Sequence, residues 1–267
     1  MQSKFNDRCA CGSENLFVVW NVGEVDFIGC KSCSLIFRKR FPSDFELEAI
    51  YSKAYSVQNI DSNDTNQEST LYALRKYAEF VKHRFKKIEQ KSVLDFGSGT
   101  GLFVSELRKI TNMVSGIEYS RSAREFCEDK FGFSLFPDLT FCGDVQYELV
   151  TMIEVIEHLK FPDADLMMLR SKMANQGLLL ITTPNRFGFR AIIERGNWRE
   201  ARKKFHLVLF TKKSLRKTLE RNGFSNITFI RFPPVQKPGV FFYIYSRLTQ
   251  VFMIPGTLFA IATKTGT

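Results

Sequence analysis

The sequence lacks a secretory signal and any uninterrupted apolar run long enough to cross a membrane. Its first fifteen residues, MQSKFNDRCACGSEN, contain no apolar core of the kind that a signal peptide needs. The longest apolar stretch, residues 239–263, is interrupted by polar residues, a proline and a glycine, which makes a poor spanning helix. We therefore expect a cytoplasmic protein, and a peripheral contact with the inner face of a membrane stays open.

Acidic residues and cysteine are also scarce. The 28 Asp and Glu residues face 38 Lys and Arg residues, which gives a net charge of +10. This balance favours an anionic partner such as a nucleotide-linked substrate, a nucleic acid or a membrane surface, although a solvated basic surface gives the same count. In a reducing compartment the six cysteines are better suited to be thiols or metal ligands than disulfides.

Three segments differ in composition. Residues 1–41 contain four of the six cysteines between short β-like runs, and residues 42–91 are helical in pattern. From residue 92 to 267, short apolar strands alternate with amphipathic helices, which predicts a Rossmann-like α/β domain with helices on both faces of the sheet. We expect seven strands, at residues 93–96, 114–118, 134–136, 149–153, 178–182, 227–232 and 258–263.

A glycine-rich turn follows the first of these strands, in the sequence SVLDFGSGTGLF. Gly97, Gly99 and Gly101 permit a tight turn and a close approach of a ligand, and the next helix offers free N–H groups to it. A dinucleotide fingerprint would need its third glycine at position 102, where the chain has leucine. Two acids accompany the turn: Asp95 precedes it, and Glu118 ends the second strand, where a carboxylate can accept hydrogen bonds from a ribose.

These residues resemble class I S-adenosylmethionine-dependent methyltransferases, through VLDFGSGTGLF, GIEYS, ELVTMIEVIEHL, GLLLITTPN and HLVLFTKKSLRKTLERNGF. The resemblance implies S-adenosylmethionine as cofactor. It implies that Asp95 and the three glycines surround the methionine part and that Glu118 binds the ribose. The residue at the adenine is left to Asp138 as a candidate, with Asp144 a weaker one.

The segment Glu154-Val-Ile-Glu157-His158 follows the fourth strand, at the sheet edge where such folds bind ligands. His158 is a candidate general base for an acceptor hydroxyl, with Glu157 and His206 beside it. Alternatively Glu154, Glu157, His158 and His206 hold a divalent cation such as Mg²⁺, since E-x-x-E-H with a later histidine resembles metal-using ubiquinone-type and small-RNA 2′-O-methyltransferases. A structural His158 is the third reading. We expect the metal-free base.

Cys9-Ala-Cys11 and Cys30-Lys-Ser-Cys33 look like the two knuckles of a zinc ribbon, and four thiolates suit a structural Zn²⁺. The alternative is a ribbon that packs on the main domain without metal. A ribbon before such a domain resembles bacterial sugar methyltransferases of surface-polysaccharide and deoxysugar pathways. Those that add C-methyl groups usually have a further C-terminal domain. A sequence of 267 residues is too short to contain it as well, so we expect O-methylation.

The segment between residues 184 and 205 mixes five arginines with Phe187, Phe189 and Trp198. Guanidinium groups pair with anions and aromatic faces stack on rings, so this segment can cap an anionic small-molecule or glycan acceptor, nucleotide-linked or lipid-linked. A surface on an anionic membrane and a plain amphipathic lid are the alternatives. An RNA or quinone-precursor methyltransferase and a zinc-ribbon binding module with a vestigial cofactor fold are the rival functions. Oligomeric state is not indicated.

Overall fold

The computed structural model of this protein describes residues 7–22, 25–54, 65–231 and 255–266. The sequence also predicts an exposed polar linker at 58–68 and an amphipathic helix at 240–254; only the end of the linker, and none of that helix, lies within these ranges. Among the residues described, no helix is both long enough and apolar enough to span a bilayer.

The cysteine-rich segment forms a small antiparallel sheet. Its strands are β1 (Leu16–Val22), β2 (Val25–Cys30) and β3 (Ile36–Arg38), as the apolar runs predicted. Two helices follow it, α1 (Asp44–Ala54) and α2 (Thr65–Arg84), which confirms the helical pattern of this part of the chain. A 3-10 turn at Ile88–Gln90 leads into the main sheet.

The main domain alternates strands and helices in the predicted order. Its first half contains β4 (Val93–Phe96), α3 (Leu102–Arg108), β5 (Val114–Ile117), α4 (Arg121–Phe131), β6 (Tyr147–Ile153), α5 (Pro162–Ser171) and β7 (Met173–Pro184). The second half contains α6 (Phe189–Glu194), α7 (Arg199–Arg202), β8 (Val208–Leu209), α8 (Lys212–Arg221), β9 (Phe224–Phe229) and β10 (Thr257–Lys264). The sequence predicts a helix at about residues 212–221 with Thr211 as its cap. Helix α8 begins there, and the side chains of Thr211 and Ser214 each accept a hydrogen bond from the other's backbone N–H.

Within the described residues the main sheet has six strands in the order β5-β4-β6-β7-β10-β9. Strands β4 to β7 are parallel, and β10 runs antiparallel between β7 and β9. The seventh strand predicted at 134–136 is reduced to one isolated bridge, Ile117 with Phe136. This bridge has two backbone hydrogen bonds, from Phe136 N–H to the Gly116 carbonyl at 2.8 Å and from Glu118 N–H to the Phe136 carbonyl at 2.9 Å.

Alternate residues of the central strands face opposite sides of the sheet, as its period of two requires. On one side Val93, Leu149 and Leu180 pack with buried residues of α2, α3 and α4. On the other side Leu94 and Val150 pack with residues of α5, α8 and the cysteine-rich segment. The predicted helices on both faces are confirmed, and the carboxyl ends of β4, β5 and β6 meet at one edge of the sheet.

The cysteine-rich sheet includes one strand of the main domain. Strand β8 of the main domain pairs with β3, Ile36 opposite Leu209 and Phe37 opposite Val208, and completes the four-stranded order β1-β2-β3-β8. The first and third segments therefore share a sheet as well as a core.

Candidate active site

The turn after β4 has the conformation for which glycine is suited. Gly97, Gly99 and Gly101 have φ angles of 80°, 53° and 79°, in the left-handed region that disfavours side chains. The N–H groups of Gly97 and Ser98 both donate to the carbonyl of Ile117, at 2.9 and 2.8 Å. A Cβ atom at position 97 would lie 2.6 Å from Cγ2 of Val155, which real structures do not tolerate. The turn therefore exposes backbone where side chains would otherwise project.

Glu118 ties this turn to the end of β5. Its Oε2 accepts a hydrogen bond from the Gly99 N–H at 2.8 Å, and its Oε1 accepts one from the Ser120 N–H at 2.8 Å. Burial raises the pKa of the Glu118 carboxyl, and the two backbone donors oppose that rise. A carboxylate has about four acceptor sites, so each oxygen retains capacity for a ligand hydroxyl.

Asp95 lies at the end of β4 with only 2% of its surface exposed. Its Oδ1 accepts a hydrogen bond from Thr151 Oγ1 of the neighbouring strand at 2.7 Å. Burial raises the pKa of Asp95 to about 6 despite this bond. The fold thus keeps a poorly compensated acid beside the glycine turn, which suits the binding of a cationic group.

Asp138, the adenine candidate, is exposed and lies two residues after the Phe136 bridge to β5. Its Oδ1 accepts a hydrogen bond from the Thr140 N–H at 2.7 Å and so caps the 3-10 turn Leu139–Cys142. Its adenine role stays a prediction. Asp144 is likewise exposed.

The loop after β6 brings Glu157, His158 and His206 together. One ligand atom of each lies within 4.8 Å of the others. Glu157 is 1% exposed and His206 is 2% exposed, so this group is buried. Backbone bonds fix the assembly, since Leu207 N–H donates to the Glu157 carbonyl at 2.8 Å. The structure therefore joins the three residues that the sequence proposed as catalytic.

Glu154, which the metal alternative also included, does not join this group. Its backbone has a φ of 56°, so no helical turn continues from residue 154. A 3-10 turn begins two residues later, at Ile156–His158. Burial raises the pKa of Glu154 to about 7.

His158 is partly buried, and Tyr51 of α1 packs on it. The two rings are stacked with centroids 6.3 Å apart, and Tyr51 Oη lies 3.3 Å from His158 Nδ1. If Nδ1 carries the proton and donates to Tyr51, the lone pair of Nε2 is free. Burial lowers the pKa of His158 to about 4, so its imidazole is neutral near pH 7.

Two buried polar atoms in this group have no hydrogen-bond partner: Oε1 of Glu157 and Nδ1 of His206. Oε2 of Glu157 accepts a bond from Thr183 Oγ1 at 2.8 Å. Burial and the nearby Glu154 raise the pKa of Glu157 well above its usual range, and burial lowers the pKa of His206 to about 2. An unpartnered carboxylate oxygen and an unpartnered imidazole nitrogen within one group of ligand atoms suit a bound cation.

The glycine turn, both strand-end acids and the histidine group therefore lie along one edge of a methyltransferase-like sheet. Residues 69–228 match the model of a family described as methyltransferase domain. The chain belongs to the methyltransferase family.

Several relatives of this methyltransferase have known structures or curated names. Magnesium protoporphyrin IX methyltransferase from Synechocystis PCC 6803 superposes with a TM-score of 0.55 at 13% identity, covering 82% of this chain and 100% of that one. The methyltransferase domain of bacterial CtHen1-C superposes with a TM-score of 0.51 at 23% identity, covering 73% and 100%. The fold is thus that of S-adenosylmethionine-dependent methyltransferases.

A ubiquinone biosynthesis O-methyltransferase of Hydrogenovibrio crunogenus is 27% identical over 117 residues. The match covers 40% of this methyltransferase and 48% of that protein. The chain spans about half the length of the curated relative it matches.

The methyltransferase also has a second group of ligand atoms, the sulfur atoms of Cys9, Cys11, Cys30 and Cys33, all within 4.8 Å of one another. The Cys9–Cys33 and Cys11–Cys30 sulfur separations are 3.5 and 3.6 Å. A disulfide needs about 2 Å, whereas sulfurs about 2.3 Å from one tetrahedral zinc lie close to 3.8 Å apart. The hydrogen bond between Cys9 and Cys33 lowers the pKa of Cys33 and raises the pKa of Cys9. These four residues fit zinc. Cys127 and Cys142 have no knuckle spacing in the sequence, and the structure shows both as free buried thiols outside this group.

The arginine-rich segment divides into a packed part and an exposed part. The guanidinium of Arg186 stacks on the Trp20 ring, 3.8 Å from its centroid, and Trp198 is 6% exposed in the same cluster as Ala191. These two side chains hold the segment against the cysteine-rich sheet. Phe187 and Phe189 are exposed, so of the predicted acceptor aromatics they alone remain available.

Sequence reasoning missed several residues of the site. Tyr51, which contacts His158, belongs to a helix without any motif. Glu200, whose Oε2 lies 3.6 Å from His206 Nδ1, belongs to the arginine-rich segment and to no motif. Arg38 donates to the carbonyl of His206 at 2.8 Å, and its only signal was a cation at the end of an apolar strand.

Proposed function

We propose that this methyltransferase transfers the methyl group of S-adenosylmethionine to a hydroxyl oxygen of a small-molecule or glycan acceptor. The observation that supports this most directly is the position of two groups at one sheet edge. The glycine turn with Glu118 follows β4 and β5, and Glu157, His158 and His206 gather after the neighbouring β6. In folds of this type ligands bind at the carboxyl ends of the parallel strands.

The donor side follows from the charges at the turn. Asp95 is an acid in a buried position, and the methionine part of the cofactor is cationic at its ammonium and sulfonium groups. Glu118 has acceptor capacity left for the ribose hydroxyls. The open backbone at Gly97–Gly99–Gly101 lets the cofactor approach without steric conflict.

On the acceptor side the enzyme must align one oxygen with the methyl carbon and remove its proton. His158 is held by Tyr51 and stays neutral, so Nε2 is the nitrogen that can accept this proton. A pKa of about 4 makes it a weak base, however, because an efficient base titrates near the working pH.

We therefore favour the alternative in which Glu157, His158 and His206 hold a divalent cation. The unpartnered Oε1 of Glu157 and Nδ1 of His206 support this assignment. Bound there, a cation such as Mg²⁺ would lower the pKa of an acceptor hydroxyl and orient its oxygen. The protein's own part is to fix the ligands: Thr183 holds the Glu157 carboxyl and Tyr51 holds the His158 ring.

For the acceptor we propose an anionic sugar or glycan, nucleotide-linked or lipid-linked, and a quinone precursor is the second candidate. The basic balance of the chain and the exposed Phe187 and Phe189 support a ring-bearing anion. The named activity of the Hydrogenovibrio relative supports the quinone-type phenol. RNA remains the third acceptor to be tested.

Peripheral contact with an anionic membrane belongs to the lipid-linked version of this proposal. Helix α6 exposes Phe189, Ile192 and Ile193 at 45%, 47% and 62%, beside Arg190 and Arg195. Replacing both isoleucines by serine should then reduce flotation with vesicles containing phosphatidylglycerol and leave cofactor affinity unchanged. Equal flotation of the wild-type protein and the variant with both isoleucines replaced would remove this part of the proposal.

The experiment is a labelled-methyl assay with nucleotide sugars, lipid-linked glycans, catechol-type quinone precursors and RNA, followed by mass analysis of the product. An O-methylated small molecule is the expected result. Chelation should stop turnover, and added Mg²⁺ or Mn²⁺ should restore it while the zinc content stays unchanged. Methylated RNA with salt-dependent binding would replace the acceptor proposal, and full turnover under chelation would return His158 to the role of a metal-free base.

A further inference from the structure

Arg38 is a buried cation in the cysteine-rich sheet, and its guanidinium lies over the Phe27 ring, 5.2 Å from the centroid, and bonds to the chain near the proposed active site. It is 4% exposed, at the end of β3. Its Nε donates to the His206 carbonyl at 2.8 Å. One further nitrogen donates to the carbonyls of Lys203 at 2.6 Å and Ala201 at 3.2 Å. One guanidinium therefore gathers three carbonyls of the segment that ends at His206.

The backbone of the same residue continues this connection. Arg38 N–H donates to the Leu207 carbonyl at 2.9 Å, and Leu207 N–H donates to the Glu157 carbonyl at 2.8 Å. Three chain segments thus run side by side: the end of β3, residues 206–207, and the loop that contains Glu157 and His158. The cysteine-rich sheet is in this way bonded directly to the loop that forms the histidine group.

The segment between Ala201 and His206 has little regular structure of its own to fix it. Helix α7 ends at Arg202, and β8 begins only at Val208. A planar fork with five donors can hold several carbonyls in one arrangement, which a single ammonium cannot do. Removing a guanidinium from water is costly, and its bonds to three carbonyls offset that cost only while residues 201–206 keep this arrangement.

We propose that Arg38 is a positioning residue, through which the cysteine-rich sheet sets the place of His206 in the active site. This inference rests on the proposed function, because it takes His206 to be part of the reaction centre. It assigns the N-terminal segment a role in catalysis rather than in acceptor binding. Loss of this contact should leave the cofactor side, on β4 and β5, unaffected.

The test compares Arg38→Met and Arg38→Lys with Arg40→Met, an exposed arginine two residues further along. Hydrogen exchange of the peptide covering residues 200–207 should become at least tenfold faster in Arg38→Met and remain unchanged in Arg40→Met. Turnover should fall by roughly 10- to 100-fold with kcat affected more than KM, as for supporting residues of other sites. S-adenosylmethionine affinity should not change. Arg38→Lys should recover part of kcat, and it replaces the methionine variant if that variant fails to fold.

Unchanged exchange and unchanged kcat in Arg38→Met and Arg38→Lys would overturn the inference. A lower melting temperature with normal kcat would do so as well, because it would show a purely structural arginine. His206→Ala separates this failure from failure of the proposed function. If His206→Ala is inactive while Arg38→Met is fully active, only the inference is wrong. A fully active His206→Ala enzyme would instead remove His206 from the proposed reaction centre.

Discussion

Replacing Asp95 by asparagine should make the unliganded protein more stable while it weakens the cofactor site. Asparagine has nearly the shape of aspartate, and its side-chain oxygen can still accept the hydrogen bond from Thr151. What the substitution removes is a charge in a position with 2% exposure. The same charge is what we expect the cationic end of S-adenosylmethionine to need.

The size of the effect follows from the pKa. Burial raises the pKa of Asp95 from 3.8 to about 6, and 1.36 kcal/mol for each pH unit gives about 3 kcal/mol. Because the folded-state pKa is the higher one, the folded protein binds the proton more tightly, and stability falls as pH rises from about 4 to about 6. Asparagine does not titrate, so its advantage should be absent near pH 3.5 and reach about 3 kcal/mol above pH 7.

Urea unfolding of the unliganded protein between pH 5 and pH 8 measures this difference, with the exposed Asp129→Asn as control. Calorimetry at pH 7.5 should show weaker S-adenosylmethionine binding for Asp95→Asn only. A difference in unfolding free energy that does not change with pH, or an Asp95→Asn protein that is less stable at pH 8, would refute the electrostatic reasoning.

Two further predictions concern the other binding sites. Glu118→Ala should weaken S-adenosylmethionine binding by about 1–3 kcal/mol in calorimetry, the usual effect of losing hydrogen bonds to a charged group, whereas Asp129→Ala should bind normally; equal affinities would remove Glu118 from the site. The purified protein should contain about one zinc per chain by elemental analysis, and Cys30→Ser should lose it while Cys142→Ser keeps it; metal-free wild-type protein purified without chelators would favour the ribbon without metal.

Local patterns predicted the main domain closely because its strands and helices alternate with short turns. The boundaries of β4 and α8 agree with the sequence prediction. A glycine turn ends β4, and a capping box begins α8. The strand at 134–136 was wrong in extent, since only Phe136 pairs with β5, through an isolated bridge to Ile117. How many residues of a short apolar run pair with a neighbouring strand depends on the fold, which no local pattern reports.

The parts of the site that are formed by residues close together in the sequence could be predicted. The glycine turn and the pair Glu157–His158 are short motifs, and both lie where the motif placed them. The place of Glu154 was not predictable, because it depends on a positive φ at a residue other than glycine. The contacts of Arg38 and Tyr51 join segments more than a hundred residues apart, so only the folded chain reveals them.

The central claim is that methyl transfer takes place at Glu157, His158 and His206. Replacing each of the three histidines of the chain by alanine and measuring methyl transfer tests this claim most directly. His83 is exposed on α2 and serves as the matched control. With the acceptor identified, single-turnover methyl transfer should fall at least 100-fold in His158→Ala and in His206→Ala, with S-adenosylmethionine affinity retained, and should be normal in His83→Ala. Wild-type turnover by both His158→Ala and His206→Ala would contradict the account.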